Sequence, residues 1–93
     1  MNFIYECDKI YIKNDDGKIV AEVTFPCISD DEVNVCHTYV DPSLRGQGIS
    51  SKLMYSLVTK LKKTNKKATA TCSYAVEWFE DHPEYNDIYL NRS

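Results

Sequence analysis

Glycine and proline are scarce in this chain, three of each among 93 residues, which excludes collagen-like, linker-rich and low-complexity architectures. No apolar run approaches the ~18 residues that a membrane-spanning helix needs. The opening residues, Met1 to Glu6, lack the basic stretch and apolar run of an export signal, so the expected location is the cytoplasm, with no membrane partner. An excess of positive charge is also missing. The formal net charge is -3, and the one basic cluster, Lys60 to Lys67, is too local for a general nucleic-acid binder. Four cysteines, Cys7, Cys27, Cys36 and Cys72, contain no C-x-x-C pair, and only His37 and His82 could join them. No metal site is expected, and in a reducing compartment the thiols read as free.

What is present suits one globular unit. A chain of 93 residues, 43% hydrophobic and 27% charged, can enclose one modest core but not two, so residues 1–93 read as a single domain. Seven tyrosines point to an aromatic-rich core or pocket.

The N-terminal third reads as a β-meander. Phe3-Ile4-Tyr5 and Ile10-Tyr11-Ile12 are short β-prone runs, Asn14-Asp15-Asp16-Gly17 supplies a hairpin turn, and Lys18 to Phe25 resumes the strand pattern until Pro26. Glu32 to Val40, rich in Val, Thr and Tyr, reads as a further strand that stops at Asp41-Pro42. Beyond Ser43-Leu44-Arg45-Gly46-Gln47-Gly48 the period changes. Ile49, Leu53, Leu57 and Leu61, with Met54 and Val58 beside them, form one face of a helix closed by lysines at its negative end. Ala68 to Cys72 reads as a strand, Ala75 to Phe79 as a short helix ended by His82-Pro83, and Ile88-Tyr89-Leu90 is too short to type.

The order strand, glycine turn, helix carries chemistry. The first amides of a helix have no acceptor within it and point with the helix dipole at one spot, which favours an anion. Gly46 and Gly48 allow close backbone approach to phosphate oxygens, and Arg45 adds a guanidinium, so a diphosphate suits the turn. The spacing is neither that of a Walker loop nor that of a Rossmann fingerprint.

Val40 to Ile49 resembles the coenzyme A-binding motif of the GNAT N-acetyltransferase superfamily, Q/R-x-x-G-x-G/A; Arg45 and Gly48 match it, and Ser50 stands where the last Gly or Ala belongs. With His37-Thr38, Cys72-Ser73-Tyr74 and His82-Pro83-Glu84-Tyr85 in that order, Lys18 to Leu90 resembles the small "N-acetyltransferase domain-like" family, truncated GNATs without the N-terminal helices that bound the acceptor site in larger relatives. The resemblance implies an α/β (α+β) fold: a mostly antiparallel sheet, one long helix after the glycine turn and a short C-terminal helix. It implies an acetyl-CoA site at Val40, Arg45, Gly46, Gln47, Gly48, Ile49 and Ser50. It also implies a cysteine at Cys72 facing the acyl group, against the plainer reading of a small buried apolar residue.

His37 is a candidate general base, because a histidine side chain can accept a proton around neutral pH, and equally a packed sheet residue. Glu22 and Glu32 become alternatives only if the strand register aims them at the pocket. Tyr74 and Tyr85 could protonate a departing thiolate or simply pack. The expected function is acetyl transfer from acetyl-CoA to an amine, either directly or through Cys72; the alternative is an acyl-CoA-binding module with little turnover. The acceptor, a small molecule or a protein, is not named by the sequence, and the expected state is a monomer or weak dimer.

Overall fold

A computed structural model describes residues 3–90. Seven strands precede or surround two helices: β1 (Phe3–Tyr5), β2 (Lys9–Lys13), β3 (Ile19–Thr24), β4 (Cys27–Ser29), β5 (Glu32–Val35), β6 (His37–Val40), α1 (Ile49–Thr64), β7 (Lys67–Ala70) and α2 (Ser73–Asp81). The meander forms as its turn chemistry dictates. Asn14 Oδ1 accepts the amides of Asp16 and Lys18, both at 3.0 Å, and Gly17 takes the positive φ of 79° that closes the turn.

The strands form two sheets, ordered β1-β2-β3-β6 and β4-β5-β7. All pairs are antiparallel except β5 with β7. The expected single strand from Glu32 to Val40 is two strands broken at Cys36, one in each sheet. Ile88 to Leu90, too short to type from sequence, adds a parallel bridge from Tyr89 to Ala68 on the outer edge of β7.

Alternation along the strands sets the face turned to the helix, although Tyr11, paired with Glu22 on the other face, is also buried. Ile10, Ile12, Ala21 and Val23 are at most 2% exposed and face α1, which packs on β2, β3 and β6. From α1 come Ile49, Leu53, Met54, Leu57, Val58 and Leu61, the stripe expected from its period, all buried. The helix ends on Asn65 in the left-handed region, φ 58°, with Lys66 N–H donating to Leu61 C=O at 2.9 Å. From α2 come Ala75, Trp78 and Phe79, packed on β7 and α1. The register pairs Glu22 with Tyr39 and Thr24 with His37, so these four share the opposite face, over which no helix lies among the described residues.

Candidate functional site

The break at Cys36 opens the site. Thr24 lies opposite His37, yet its carbonyl also accepts the Cys36 amide at 3.1 Å, so two residues oppose one and the strand bends. Below the bend β5 holds β7 in parallel, and the amides of Thr71 and Cys72 both donate to Val35 C=O, at 3.0 and 3.2 Å. Above it β6 stays with β3 while the chain after β7 turns into α2. The two edges diverge. Asp41 N–H donates to Val20 C=O at 2.7 Å, and the antiparallel alternation then directs the amides of Tyr39 and His37 to β3 and those of Thr38 and Val40 into the opening.

The glycine turn borders this opening on the α1 side. Asp41 Oδ1 accepts the Ser43 amide at 2.9 Å and the Ser43 hydroxyl at 2.8 Å, and these bonds hold the Asp41 carboxyl below its ordinary range. They fix the 3-10 turn Pro42–Leu44 that delivers Arg45. Gly46 and Gly48 both have positive φ, 85° and 71°, and no atom lies within 4 Å of where a Cβ would stand on either. The space above them is open to a ligand. The first helical bond runs from Lys52 N–H to Gly48 C=O, 3.1 Å, which leaves the amides of Ile49, Ser50 and Ser51 without an acceptor in the helix.

A cleft of about 380 Å³ joins the turn to the opening, a size suited to a small-molecule site. Of the residues expected at a cofactor, Val40, Arg45, Gly46, Gly48, Ile49 and Ser50 line it; Gln47 is exposed and does not. Thr38, Ser51 and Tyr74, outside the set expected at a cofactor, also line it. Their signal was tertiary, since it depends on the register of β6 and on contacts between helices.

Cys72 caps the N-terminus of α2, half-buried, with its Sγ 3.4 Å from Thr38 Oγ1 across the opening. Burial pushes the thiol up, but the Thr38 hydroxyl and the amides of Ala75, Tyr74 and Thr38 outweigh it and bring the thiol below its ordinary value. No capping hydrogen bond to the neutral thiol is closed; the helix-terminal amides act on the thiolate, whose charge they and the dipole favour. Tyr74 is shifted the other way: burial raises it, a hydrogen bond with Ser50 partly offsets this, and the nearby Cys72 charge raises it again. Its hydroxyl therefore holds its proton more firmly than usual, beside a thiol that holds its own less firmly.

His37 is exposed and sits on the other face of β6 from Thr38, so the structure does not bring it to Cys72. Glu22 shares that face beside Tyr39, and Glu32 pairs with Lys67 at the far end of β5. Tyr85 stacks on Trp78, away from Cys72. Cys7, Cys27 and Cys36 are exposed. Among the described residues no three His, Cys, Asp or Glu side chains are grouped to hold a metal ion, and no helix is long and apolar enough to cross a membrane.

No curated protein matches the chain. Among solved structures, a GCN5-like protein from Staphylococcus aureus is 33% identical, with a TM-score of 0.82 over 99% of this chain and 90% of its own. More distant neighbours share the fold alone. A Mycobacterium tuberculosis protein solved in complex with CoA is 20% identical, TM-score 0.62, over 82% of this chain and 47% of its own. The ribosomal-protein-alanine N-acetyltransferase of Brucella melitensis is 20% identical, TM-score 0.57, over 91% of this chain and 62% of its own. The GCN5-related N-acetyltransferase family model matches residues 9–88, and with a mostly antiparallel sheet split beside a glycine turn, the chain belongs to the GCN5-related N-acetyltransferase family.

Proposed function

We propose that the protein binds acetyl-CoA in the cleft and transfers the acetyl group to an amine, with Cys72 carrying the group between them. The observation that supports this most directly is the meeting of Cys72 and Thr38, 3.4 Å apart, since Thr38 lines the cleft that starts on a diphosphate-suited turn. The substrate would lie with its diphosphate on the amides of the glycine turn and Arg45. Its pantetheine arm would run past Val40 and Tyr74, and its thioester would reach the opening. Family membership and a CoA complex of a distant neighbour support the same substrate.

The chain's own groups suit a two-step transfer. The Cys72 thiolate attacks the thioester carbonyl, and the inward amide of Val40 offers a hydrogen bond to the oxygen as it gains charge. A bond forms from Cys72 Sγ to the acetyl carbon and the bond to the CoA sulfur breaks; the Tyr74 hydroxyl can donate a hydrogen bond to the leaving thiolate, which takes its proton from solvent. An uncharged amine then attacks the acetyl-cysteine; the bond to Cys72 Sγ breaks as the new amide forms, and the amine proton passes to the released thiolate or to solvent.

The second reading, an acyl-CoA-binding module, draws on the bare outer face: His37 and Tyr39 are exposed, and nothing among the described residues encloses an acceptor there. One experiment separates the readings. The protein is incubated with acetyl-CoA, quenched in acid to preserve thioesters and mapped by peptide mass spectrometry, with and without pooled polyamines, amino acids and lysine peptides. Acetyl on Cys72 that is lost to amine, and absent from Cys72→Ser, is the expected result. Full transfer by Cys72→Ser replaces the covalent route with direct attack. Binding without acetylation or transfer favours the module, and steady thiol release without amine marks a thioesterase.

A further inference from the structure

A second groove, between α1 and the edge strand β1, takes no part in the chemistry proposed above. Its volume is about 440 Å³, and Tyr5, Ser56, Thr59, Lys60, Lys63 and Thr64 line it. Tyr5 pairs with the inward-facing Ile10, so its side chain lies on the sheet face that carries α1. Yet β1 is at the edge of the sheet, outside the strands on which α1 mainly packs, and the Tyr5 ring is 53% exposed. No carboxylate lines the groove. The adjacent one, Glu6, accepts the Tyr11 hydroxyl at 2.8 Å, on the other face of the sheet.

The lysines at this end of α1 differ in what they touch. Lys62 lies over the Tyr85 ring, Lys66 reaches Cys27 Sγ, and Lys67 Nζ donates to Asp87 C=O at 2.6 Å. Lys60 lies over the Phe25 ring and donates to Glu6 C=O at 2.6 Å, which fixes its ammonium and leaves it further hydrogens to donate. Lys63, exposed on the groove, has no hydrogen-bond, ion-pair or ring partner among the described residues. The Ser56 hydroxyl has none either, whereas Thr59 and Thr64 donate to the carbonyls of Tyr55 and Lys60.

The strand beside the groove is an open edge, bonded to β2 alone. Glu6 N–H donates to Lys9 C=O at 2.8 Å, and the antiparallel alternation then turns the backbone groups of Ile4 to β2 and those of Phe3 and Tyr5 outward. A strand added there would bond to Phe3 and Tyr5. The residue it set opposite Tyr5 would project on the same face as Tyr5, into the groove beside Lys60 and Lys63. We infer that this edge and groove bind an extended acidic segment of a partner protein, which adds as a strand to β1 and brings alternate Asp or Glu side chains to Lys63 and Lys60. Backbone bonds at the edge supply affinity, and the lysines select the sequence. A second copy of this chain is a poorer occupant, because β1, Phe3-Ile4-Tyr5, has no carboxylate to meet the lysines. The inference goes beyond the acyl-CoA reading and does not depend on it.

The probe is a synthetic peptide, acetyl-Thr-Glu-Thr-Glu-Thr-Glu-Thr-amide, titrated into the isotope-labelled full chain and followed by backbone amide shifts. Saturable shifts at Phe3, Tyr5, Ser56 and Lys63 are expected, with affinity falling as salt is raised to ~0.5 M. Lys63→Glu, an exchange at an exposed position, should weaken binding about fivefold, and a peptide with Lys in place of Glu should not bind. In the added strand the Glu opposite Tyr5 exchanges both backbone bonds with it. Methylating the Glu amide nitrogens of the peptide should therefore abolish binding, and methylating the Thr nitrogens should not. No shift at β1 with the acidic peptide, equal binding of the lysine peptide or of the peptide methylated at Glu, or unchanged affinity in Lys63→Glu would each overturn the inference. Concentration-dependent shifts at Phe3 and Tyr5 without peptide would also overturn it, by giving the edge to a second copy.

Discussion

Two glycines allow strain and ligand contact to be separated. Gly48 and Gly17 both have positive φ, 71° and 79°, and at both a Cβ would meet nothing within 4 Å. An alanine at either position therefore costs backbone energy without a clash inside the protein, about 1–2 kcal/mol for a left-handed residue with a Cβ. For a domain of this size about 1 kcal/mol lowers the melting temperature by roughly 4–8 °C, so both variants should remain folded and melt several degrees lower. They should part on cofactor. Gly17 lies in the β2-β3 hairpin, whereas a methyl on Gly48 projects into the cleft where phosphate oxygens would approach the amides. Losing one or two charge-assisted bonds of about 1.5 kcal/mol or more each predicts CoA binding weakened ~10-fold to ~100-fold in Gly48→Ala and unchanged in Gly17→Ala. Melting curves and titration calorimetry on the pair give both numbers. Equal CoA affinity in the two variants, with equal loss of stability, would mean that the glycine turn shapes the helix start and does not hold the diphosphate.

The Cys72 thiol sits below its ordinary value, so at neutral pH it should be alkylated faster than Cys7, Cys27 and Cys36, as followed by iodoacetamide labelling and peptide mapping. Thr38→Val removes a hydroxyl that lowers it; the rate at neutral pH should fall and the profile move to higher pH, with the two proteins converging above the ordinary thiol range. The sign carries over to stability: a depressed acid stabilises the fold above its unfolded pKa and loses that contribution as pH falls through its folded pKa, so Thr38→Val should lose more stability at alkaline than at acid pH. Leu57, 0% exposed under the sheet, should cost about 2–5 kcal/mol as Leu57→Ala, seen as a large drop in the urea midpoint.

Local chemistry and period were enough to determine much of this protein. The apolar stripe from Ile49 to Leu61 specified α1, Asn14 and Gly17 specified the hairpin turn, and Gly46 and Gly48 marked the phosphate-suited turn, because each depends on neighbours within a few residues. The run from Glu32 to Val40 looked like one strand because nothing in its composition signals a bend at Cys36. Only pairing with two different partners, β7 below and β3 above, divides it. That division set Thr38 against Cys72, partners 34 residues apart, and left His37 on the other face, since one residue along a strand reverses the side chain's direction. It likewise took the packing of α2 on α1 to join Trp78 to Ser51, 27 residues away. The sequence by itself determined which segments could bind an anion or present a thiol; the tertiary structure decided which side chains meet, because register and helix packing depend on contacts between distant parts of the chain.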